Sequence, residues 1–313
     1  MNRYVVTGGA GFIGSALVRA LLAEGWRVHV IDNLSTGNLD NLEEVADAIT
    51  VHEIDIRDYD RIAEVIAGAR RVFHIAALPS VPKSILDPVS SHNTNIDGTF
   101  NVFRASAEAK VGRVVYAASS SAYGDTEVLP KVETMLPRPK SPYAVQKLVG
   151  EYYASVFAEC FGLETVSLRF FNVFGPRQDP TSIYSGVLSV FLTALIERRS
   201  PTIFGDGKQS RDFTFVEDVV ALLLKASEAP GVSGQVFNAG NGGRYTLNQT
   251  WELLQKIEGV NLPPKYGPSR PGDVRDSQAD LTAAARELGH APRFTFEQGL
   301  RLTLDWYRQH TCK

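Results

Sequence analysis

The sequence of 313 residues predicts an α/β fold, a doubly wound parallel sheet with helices on both faces. Two observations predict this fold class. Short β-branched runs alternate with stretches of helical period through the first half of the chain, which is the pattern of repeated βαβ units. The runs are also nearly continuous in apolar residues, as at residues 28–31, and such strands suit a sheet buried on both faces.

The alternation begins near the N-terminus and continues to about Phe170. The predicted strands cover residues 3–7, 27–31, 50–54, 71–75, 113–117 and 165–169. The predicted helices between them cover residues 12–23, 39–46, 59–66, 94–109 and 142–161. Parallel strands joined in this way have right-handed crossovers. We therefore expect residues 1–170 to form one large domain.

The rhythm changes after Phe170, and the second half predicts a smaller α/β domain. Helical patterns recur at residues 183–197, 216–226, 247–257, 281–288 and 296–307, with short strands at 202–204 and 213–215. Residues 235–238 resemble a strand that returns to the large sheet, so residues 213–240 are expected to rejoin the first domain. Residues 171–212 and 241–313 would then form the C-terminal domain, over the carboxyl ends of the strands where such sheets bind ligands.

Composition excludes several classes of function. The net charge of −3 leaves no excess of basic residues for binding nucleic acid or an anionic membrane. We find no signal peptide and no apolar run long enough to span a bilayer. Cys160 and Cys312, the two cysteines, are far apart, which fits a reducing compartment, and the six histidines show no metal-ligand spacing. The expectation is a cytoplasmic protein without a metal.

A glycine-rich turn between the first strand and the first helix predicts a dinucleotide site. The turn is Gly8-Gly9-Ala10-Gly11-Phe12-Ile13-Gly14. Glycines allow a tight turn and let the backbone N–H groups of a helix N-terminus approach a pyrophosphate. A strand precedes this turn, a helix follows it, and βαβ units continue beyond it, which is the context of a Rossmann-type site. The alternative is a tight turn that binds no ligand.

Two aspartates refine the predicted cofactor. Asp32 ends the second strand, where a carboxylate accepts hydrogen bonds from a ribose diol and repels a 2′-phosphate, which favours NAD over NADP. Asp55 and Ile56 end the third strand, where an adenine would be held. The alternatives are a helix-capping role for Asp32 and a turn role for Asp55.

Tyr143 and Lys147 predict a catalytic pair. They lie one helical turn apart, behind an N-cap at Ser141 and a proline at the first helical position. A tyrosine side chain normally has a pKa of about 10. The lysine, the helix N-terminus and an oxidised nicotinamide ring would lower that pKa enough for Tyr143 to accept a sugar proton. Tyrosine and lysine at this spacing are common on helices where they have no catalytic role. In this sequence the pair occurs together with the glycine turn, which favours the catalytic interpretation.

Ser119, Ser120 and Ser121 follow the fifth strand and would face the same crevice. A hydroxyl there can donate to the reacting oxygen and orient Tyr143. The alternative is a serine-rich turn, and the sequence does not decide which serine acts.

These motifs together resemble the extended short-chain dehydrogenase/reductase family, and within it the nucleotide-sugar 4-epimerases. The resemblance covers nearly the whole chain and includes Arg169 to Gly175 and Arg270-Pro271-Gly272-Asp273. It implies that Tyr143 is the base, Lys147 its partner and Ser119 the auxiliary hydroxyl, acting through a transient 4-keto sugar. The cofactor residues it implies are Gly8, Gly11, Phe12, Ile13, Gly14, Asp32, Asn33, Asp55, Ile56, Ala76, Ala77, Asn95, Tyr143, Lys147, Phe170 and Val173. The UDP-sugar residues it implies are Ser119, Ser120, Ser121, Tyr143, Asn172, Gly186, Val187, Phe204, Arg211, Arg270, Asp273 and Ser277.

Departures from the family pattern narrow the expected reaction. Ser120 and Ser121 stand where related dehydratases and decarboxylases carry a carboxylate, which argues against both reactions. Pro79 replaces a lysine that many hexose-specific epimerases carry. Ser277 stands at a gate position where hexose-restricted members carry a tyrosine, so we expect UDP-N-acetylhexosamines to fit, with or without plain UDP-hexoses.

Two other readings of the resemblance stay open. One is a different NAD-dependent nucleotide-sugar enzyme, such as a UDP-glucuronate 4-epimerase or a reductase; the other is a non-catalytic NAD-binding module. The family also implies a homodimer formed through the helices at 94–109 and 142–161, although the same apolar faces would suit burial within one chain.

Overall fold

The computed structural model describes residues 3–179, 186–268 and 274–311. The strands, in chain order, are β1 (Arg3–Thr7), β2 (Arg27–Asp32), β3 (Ile49–Glu53), β4 (Arg71–His74), β5 (Arg113–Ser119), β6 (Thr165–Phe170), β7 (Asn172–Phe174), β8 (Thr202–Phe204), β9 (Ser210–Arg211), β10 (Phe213–Phe215), β11 (Gln235–Ala239), β12 (Tyr245–Thr246) and β13 (Lys265–Gly267). The α-helices are α1 (Phe12–Ala23), α2 (Tyr59–Ile66), α3 (Val81–Leu86), α4 (Pro88–His92), α5 (Thr99–Glu108), α6 (Pro142–Phe161), α7 (Val187–Ile196), α8 (Val216–Glu228), α9 (Leu247–Glu258), α10 (Thr282–Leu288) and α11 (Phe296–Thr311).

Within these ranges, seven parallel strands form one sheet in the order β11-β6-β5-β4-β1-β2-β3. Alternate residues of each strand point to opposite faces, so Val6 packs in one apolar cluster with α1 and α8, and Val5 packs in another with α2, α5 and α6. Both faces of the sheet are therefore covered by helices. The predicted fold class, a Rossmann-type doubly wound sheet, is confirmed.

The strand order reverses at β1, because β2 follows on one side and β4 on the other. Such a reversal leaves a crevice at the carboxyl ends of the strands, where open α/β sheets bind ligands. The glycine turn follows the carboxyl end of β1, and Ser119 is the last residue of β5, so both lie at this edge of the sheet.

The second half of the chain packs small paired strands and helices against one end of the large sheet. β7 pairs with β10, β9 with β12 and β8 with β13. Phe213 and Phe296 stack, and Phe174 meets both of them edge to face; this aromatic group is continuous with the apolar cluster beside α1 and α8. β11 lies in the large sheet beside β6. The division into two domains stays a prediction.

The structure corrects several predicted elements. Residues Leu39–Ala48 form a 3₁₀ helix, and Asn93–Gly98 form a π-helical turn before α5, so the helix predicted at 94–109 is not one regular helix. β3 ends at Glu53, so Asp55 lies beyond the strand. The sequence analysis missed α3 and α4, although each has a signal: a capping side chain, Ser80 or Asp87, followed by a proline in the first turn.

Among the helices of the described ranges, none has the length and apolar character needed to cross a membrane. The same ranges bring together no group of three or more His, Cys, Asp or Glu side chains suited to a metal ion.

Candidate active site

A cavity of about 1760 Å³ lies in the crevice at the carboxyl ends of the strands. Pockets for small ligands usually measure roughly 300–1,000 Å³, so this one has room for a dinucleotide and a second nucleotide together. The predicted residues on its wall are Gly8, Gly11, Phe12, Ile13, Gly14, Asp32, Asn33, Ile56, Ala76, Ala77, Ser119, Ser120, Ser121, Tyr143, Lys147, Phe170, Asn172, Val173, Gly186, Arg211 and Ser277. The fold thus brings most of the predicted site together.

Other predicted residues lie elsewhere: Asp55, Asn95, Val187 and Phe204 are off the cavity wall, and Arg270 and Asp273 are outside the described residues. Asn95 is fully buried, and its Oδ1 accepts from the backbone N–H of Leu78 at 2.8 Å. Its Nδ2 donates to Gln146 at 2.9 Å. Asn95 therefore holds a wall residue in place instead of facing the cavity.

Asp55 pairs with Arg57 instead of facing the crevice. The nearest oxygen and nitrogen of the pair are 2.9 Å apart, and hydrogen bonds from Arg57 lower the pKa of Asp55 to about 2. Asp55 also accepts from Asn33 Nδ2 at 2.7 Å. Asp55 is thus linked to the cavity wall only indirectly, through its hydrogen bond with Asn33.

The glycine turn has the geometry of an anion site. Gly8 has a φ of +73°, and a Cβ there would lie 2.7 Å from the backbone nitrogen of Ala76. A Cβ on Gly14 would lie 2.0 Å from the carbonyl oxygen of Gly8. The N-cap of α1, Gly11, supplies no side-chain cap, so the first amides of the helix remain for a phosphate.

Asp32 faces this turn from the end of β2. It is buried, and its carboxylate accepts from the N–H groups of Ala10 at 3.0 Å and Leu34 at 2.9 Å. Burial raises the pKa of Asp32, while these two hydrogen bonds oppose the rise. Since each carboxylate oxygen accepts more than one hydrogen bond, Asp32 can bind the turn and a ribose diol together. These residues fit NAD.

We expect Asp32→Ala to weaken NAD binding and relax the preference over NADP. The ribose loses its acceptor, the 2′-phosphate loses its repulsion, and the N–H groups of Ala10 in the turn and of Leu34 after β2 lose theirs. Titration of both dinucleotides measures the change, and Asp32→Asn, which keeps an oxygen but not the charge, separates the two causes. Unchanged affinity and preference in the alanine variant would remove Asp32 from the site.

Tyr143 and Lys147 reach the cavity because α6 packs closely on β5. A Cβ on Gly150 would lie 2.2 Å from the Tyr116 hydroxyl, so only glycine permits this approach. Lys147 is buried, and its Nζ donates to the carbonyl oxygen of Ala117 at 2.8 Å. Burial lowers the pKa of Lys147 to about 7, against the attraction of Glu151.

The electrostatics of Tyr143 differ from the sequence-based expectation. Burial raises the pKa of Tyr143 to about 12, and a hydrogen bond from Ser119 acts in the opposite direction. The Lys147 ammonium does not lower this pKa, because it is directed at Ala117 and is itself only partly charged near pH 7. The protein's own groups therefore leave Tyr143 protonated.

The three serines adopt different positions. Ser119 caps a short 3₁₀ helix, and its Oγ accepts from the backbone N–H of Ser121 at 3.2 Å and from the Ser121 hydroxyl at 2.8 Å. Of the three serines, Ser119 is the one whose hydroxyl acts on the pKa of Tyr143. Ser120 and Ser121 line the cavity beside it.

Sequence reasoning missed three polar residues of the site. Ser84 on α3 accepts from the backbone N–H of Tyr143 at 3.1 Å, and so fixes the start of α6. Lys131 is buried at the wall, where its ammonium donates to Thr126 and to the Val128 carbonyl. Arg177 also lies at the wall. None of them has a local pattern beyond its residue type, since tertiary contacts place all three.

A glycine turn, a buried carboxylate at the end of the second strand and a tyrosine at one crevice are typical of the dinucleotide-dependent α/β enzymes. The model of the NAD dependent epimerase/dehydratase family matches residues 4–240. The chain belongs to this family, and its cofactor is NAD.

Individual relatives extend over nearly the full chain. A UDP-glucose 4-epimerase of Mycolicibacterium smegmatis is 37% identical over 311 residues, 98% of each chain. A UDP-glucose 4-epimerase of Thermotoga maritima, solved with UDP-glucose, has a TM-score of 0.94 at 38% identity, covering 99% of each chain. A UDP-N-acetylglucosamine 4-epimerase of Methanobrevibacter ruminantium has a TM-score of 0.94 at 37% identity, covering 98% of each. The resemblance to nucleotide-sugar 4-epimerases is confirmed.

Proposed function

We propose that the protein interconverts the C4 epimers of UDP-sugars and accepts UDP-N-acetylhexosamines. The observation that supports 4-epimerisation most is the cavity wall beside Tyr143, where Ser119, Ser120 and Ser121 leave no carboxylate. Relatives also include a dTDP-glucose 4,6-dehydratase at 32% identity and UDP-glucuronic acid decarboxylases at 31%. Elimination and decarboxylation need an acid–base group that these serines do not supply.

Tyr143 is the residue proposed to take the proton from the sugar O4 and to return it. NAD, held by the glycine turn and Asp32, would supply a reversible acceptor for the C4 hydride, so that the hydride taken from one face of the sugar could return to the other with no net redox change. Ser119 donates to the tyrosine oxygen, which stabilises the tyrosinate that forms. Because burial holds the pKa of Tyr143 near 12, proton transfer depends on positive charge beside it. The N-terminus of α6 supplies part of that charge, and the oxidised nicotinamide ring would add to it when NAD is bound.

Incubation with UDP-glucose, UDP-N-acetylglucosamine and UDP-glucuronate, followed by chromatography, tests the proposal. The expected products are the matching C4 epimers of the first two substrates, with no net change in NAD. A 4,6-dehydrated or decarboxylated product would overturn the 4-epimerase assignment. Epimerisation of UDP-glucuronate alone would support the 4-epimerase reaction and contradict the proposed substrates.

The substrate size is argued from Ser277. Ser277 lies at the cavity wall with Asn172 and Gly186. Its Oγ lies 3.4 Å from Asn172 Oδ1 and accepts from the backbone N–H of Asp212 at 3.4 Å. It is 9% exposed, so a larger side chain at this position must extend into the cavity.

Ser277→Tyr is expected to reduce turnover of UDP-N-acetylglucosamine much more than turnover of UDP-glucose, because the ring occupies space beside the C2 substituent. Relative kcat/KM for the two sugars measures this, and an unchanged melting temperature shows that the variant folds. Ser277→Ala keeps the space and should keep the ratio. Equal losses for both sugars, or wild-type protein inert toward acetylated sugars, would contradict the size argument.

We also propose a homodimer through α5 and α6. Phe100 on α5 and Val145, Tyr152 and Val156 on α6 are between 37% and 58% exposed, although large apolar side chains are usually covered. Pairing two copies of this surface would form a four-helix contact. Sedimentation equilibrium should give twice the chain mass, and Tyr152→Glu with Val156→Glu should give a monomer. A wild-type monomer would rule out the contact.

A further inference from the structure

Arg177 lies in the loop that follows β7, and its side chain lines the cavity. The backbone φ of Arg177 is +69°, a left-handed conformation that is uncommon for any residue other than glycine. Strained backbone of this kind persists where surrounding contacts maintain it, and it is concentrated at functional sites. The position therefore merits a role beyond that of a connecting loop.

The described residues offer the Arg177 guanidinium one carboxylate, that of Glu44. Arg177 Nη2 donates to Glu44 Oε2 at 2.6 Å. The arginine side chain is 17% exposed, whereas the glutamate is 66% exposed. An ion pair with one partner so open to solvent is weak and readily exchanged. The cavity thus contains an arginine whose anionic partner can be replaced.

Glu44 belongs to a segment attached to the glycine turn. The backbone N–H of Asn38 donates to the Ala10 carbonyl at 3.1 Å, and Asn41 Nδ2 donates to the same oxygen at 2.9 Å. Arg19 of α1 donates to the Asn41 carbonyl at 2.7 Å, and the charge of Arg177 contributes to lowering the pKa of Arg19. Arg177 therefore lies near Arg19, whose guanidinium reaches back along α1 to the Ser15 hydroxyl at 3.4 Å, toward the glycine turn.

Other basic side chains on the described part of the cavity wall already have partners. Lys147 donates to Ala117, Lys131 to Thr126 and Val128, and Arg211 to the carbonyls of Ser210 and Arg275. The turn itself contributes backbone N–H groups and no positive side chain. Among these cations of the described wall, Arg177 is the one paired with an exposed carboxylate, and a pyrophosphate with two negative charges can replace that partner.

We infer that Arg177 binds the pyrophosphate of NAD and leaves Glu44 when the cofactor enters. A planar guanidinium binds two phosphate oxygens at once, and the Glu44 carboxylate occupies that place as a substitute anion. Arg177 is then a cofactor-binding residue, and Glu44 is an internal competitor that weakens NAD binding. This inference depends on NAD as the cofactor and not on which sugar is epimerised.

Three variants of the full-length protein, freed of nucleotide, test the inference: Arg177→Met, Glu44→Gln and, as a matched control, Glu43→Gln. Glu43 also lies at the wall and loses the same charge. Calorimetric titration measures the Kd of NAD, ADP-ribose and adenosine. Arg177→Met should weaken NAD and ADP-ribose by about tenfold or more, as expected for a charge-assisted contact, and leave adenosine unchanged. Glu44→Gln should tighten both, and Glu43→Gln should change neither.

The inference requires that Arg177→Met and Glu44→Gln change the affinity for NAD in opposite directions. If Glu44→Gln weakens NAD as much as Arg177→Met, the pair closes over the cofactor and does not compete with it, and the inference is wrong. Equal loss of adenosine affinity, or no loss in either variant, would also overturn it. UDP binding checks that Arg177→Met folds. Protein that shows these shifts but converts no UDP-sugar would contradict the proposed function alone.

Discussion

Tyr143→Phe is expected to abolish epimerisation while the fold and the bound NAD remain. The substitution removes one hydroxyl, and the buried ring keeps its packing. Loss of a positioned acid–base group typically costs about 10²–10⁴-fold in rate. An assay of UDP-sugar conversion by the variant checks the loss of activity. The NAD content of the same sample checks that the cofactor remains bound.

Tyr4→Phe is the matched control for this experiment. Tyr4 is buried, and its hydroxyl donates to Glu228 at 2.9 Å, away from the cavity wall. The control should retain full activity. Ser119→Ala should be milder than Tyr143→Phe, because the tyrosine remains. Activity of Tyr143→Phe above a few per cent of wild type would assign the base to another residue, and a much larger loss in Ser120→Ala would show that Ser119 is the wrong serine.

Arg169→Met is expected to lower the free energy of unfolding by about 3–5 kcal/mol, the usual cost of removing one partner of a buried ion pair. Arg169 on β6 and Glu151 on α6 are 5% and 3% exposed at their side chains. Two hydrogen bonds, of 2.9 and 2.7 Å, join the guanidinium to the carboxylate. Without the arginine, the Glu151 carboxylate stays buried without that partner. Urea unfolding measures the loss.

The double variant Arg169→Met with Glu151→Leu should recover much of the lost stability, because no charge is then buried without a partner. Glu164→Gln serves as the comparison, since Glu164 pairs with Arg113 but is 51% exposed. Its loss should be within about 1 kcal/mol. Equal effects of Arg169→Met and Glu164→Gln would mean that burial of the Glu151 pair has no energetic importance.

Local patterns in the sequence were sufficient for much of the fold. The bounds of β1, α1, α2 and α6 follow from apolar periodicity, caps and glycines within one element, and the structure agrees with each of them. The glycine turn, Asp32, Tyr143 and Lys147 lie at fixed positions relative to those elements. Their meeting at one crevice follows from the parallel sheet, because the carboxyl ends of its strands lie on one edge.

Tertiary structure alone decided the features that depend on residues distant in the sequence. Asn95 turns away from the cavity because Leu78 and Gln146 bind it, and Ser84 reaches Tyr143 from a helix that the sequence analysis missed. Burial depends on the packing of the whole chain, so the direction of the Tyr143 pKa was not accessible from a neighbouring lysine. The Arg177–Glu44 pair joins the loop after β7 to the 3₁₀ helix Leu39–Ala48, and no pattern within either segment encodes that contact.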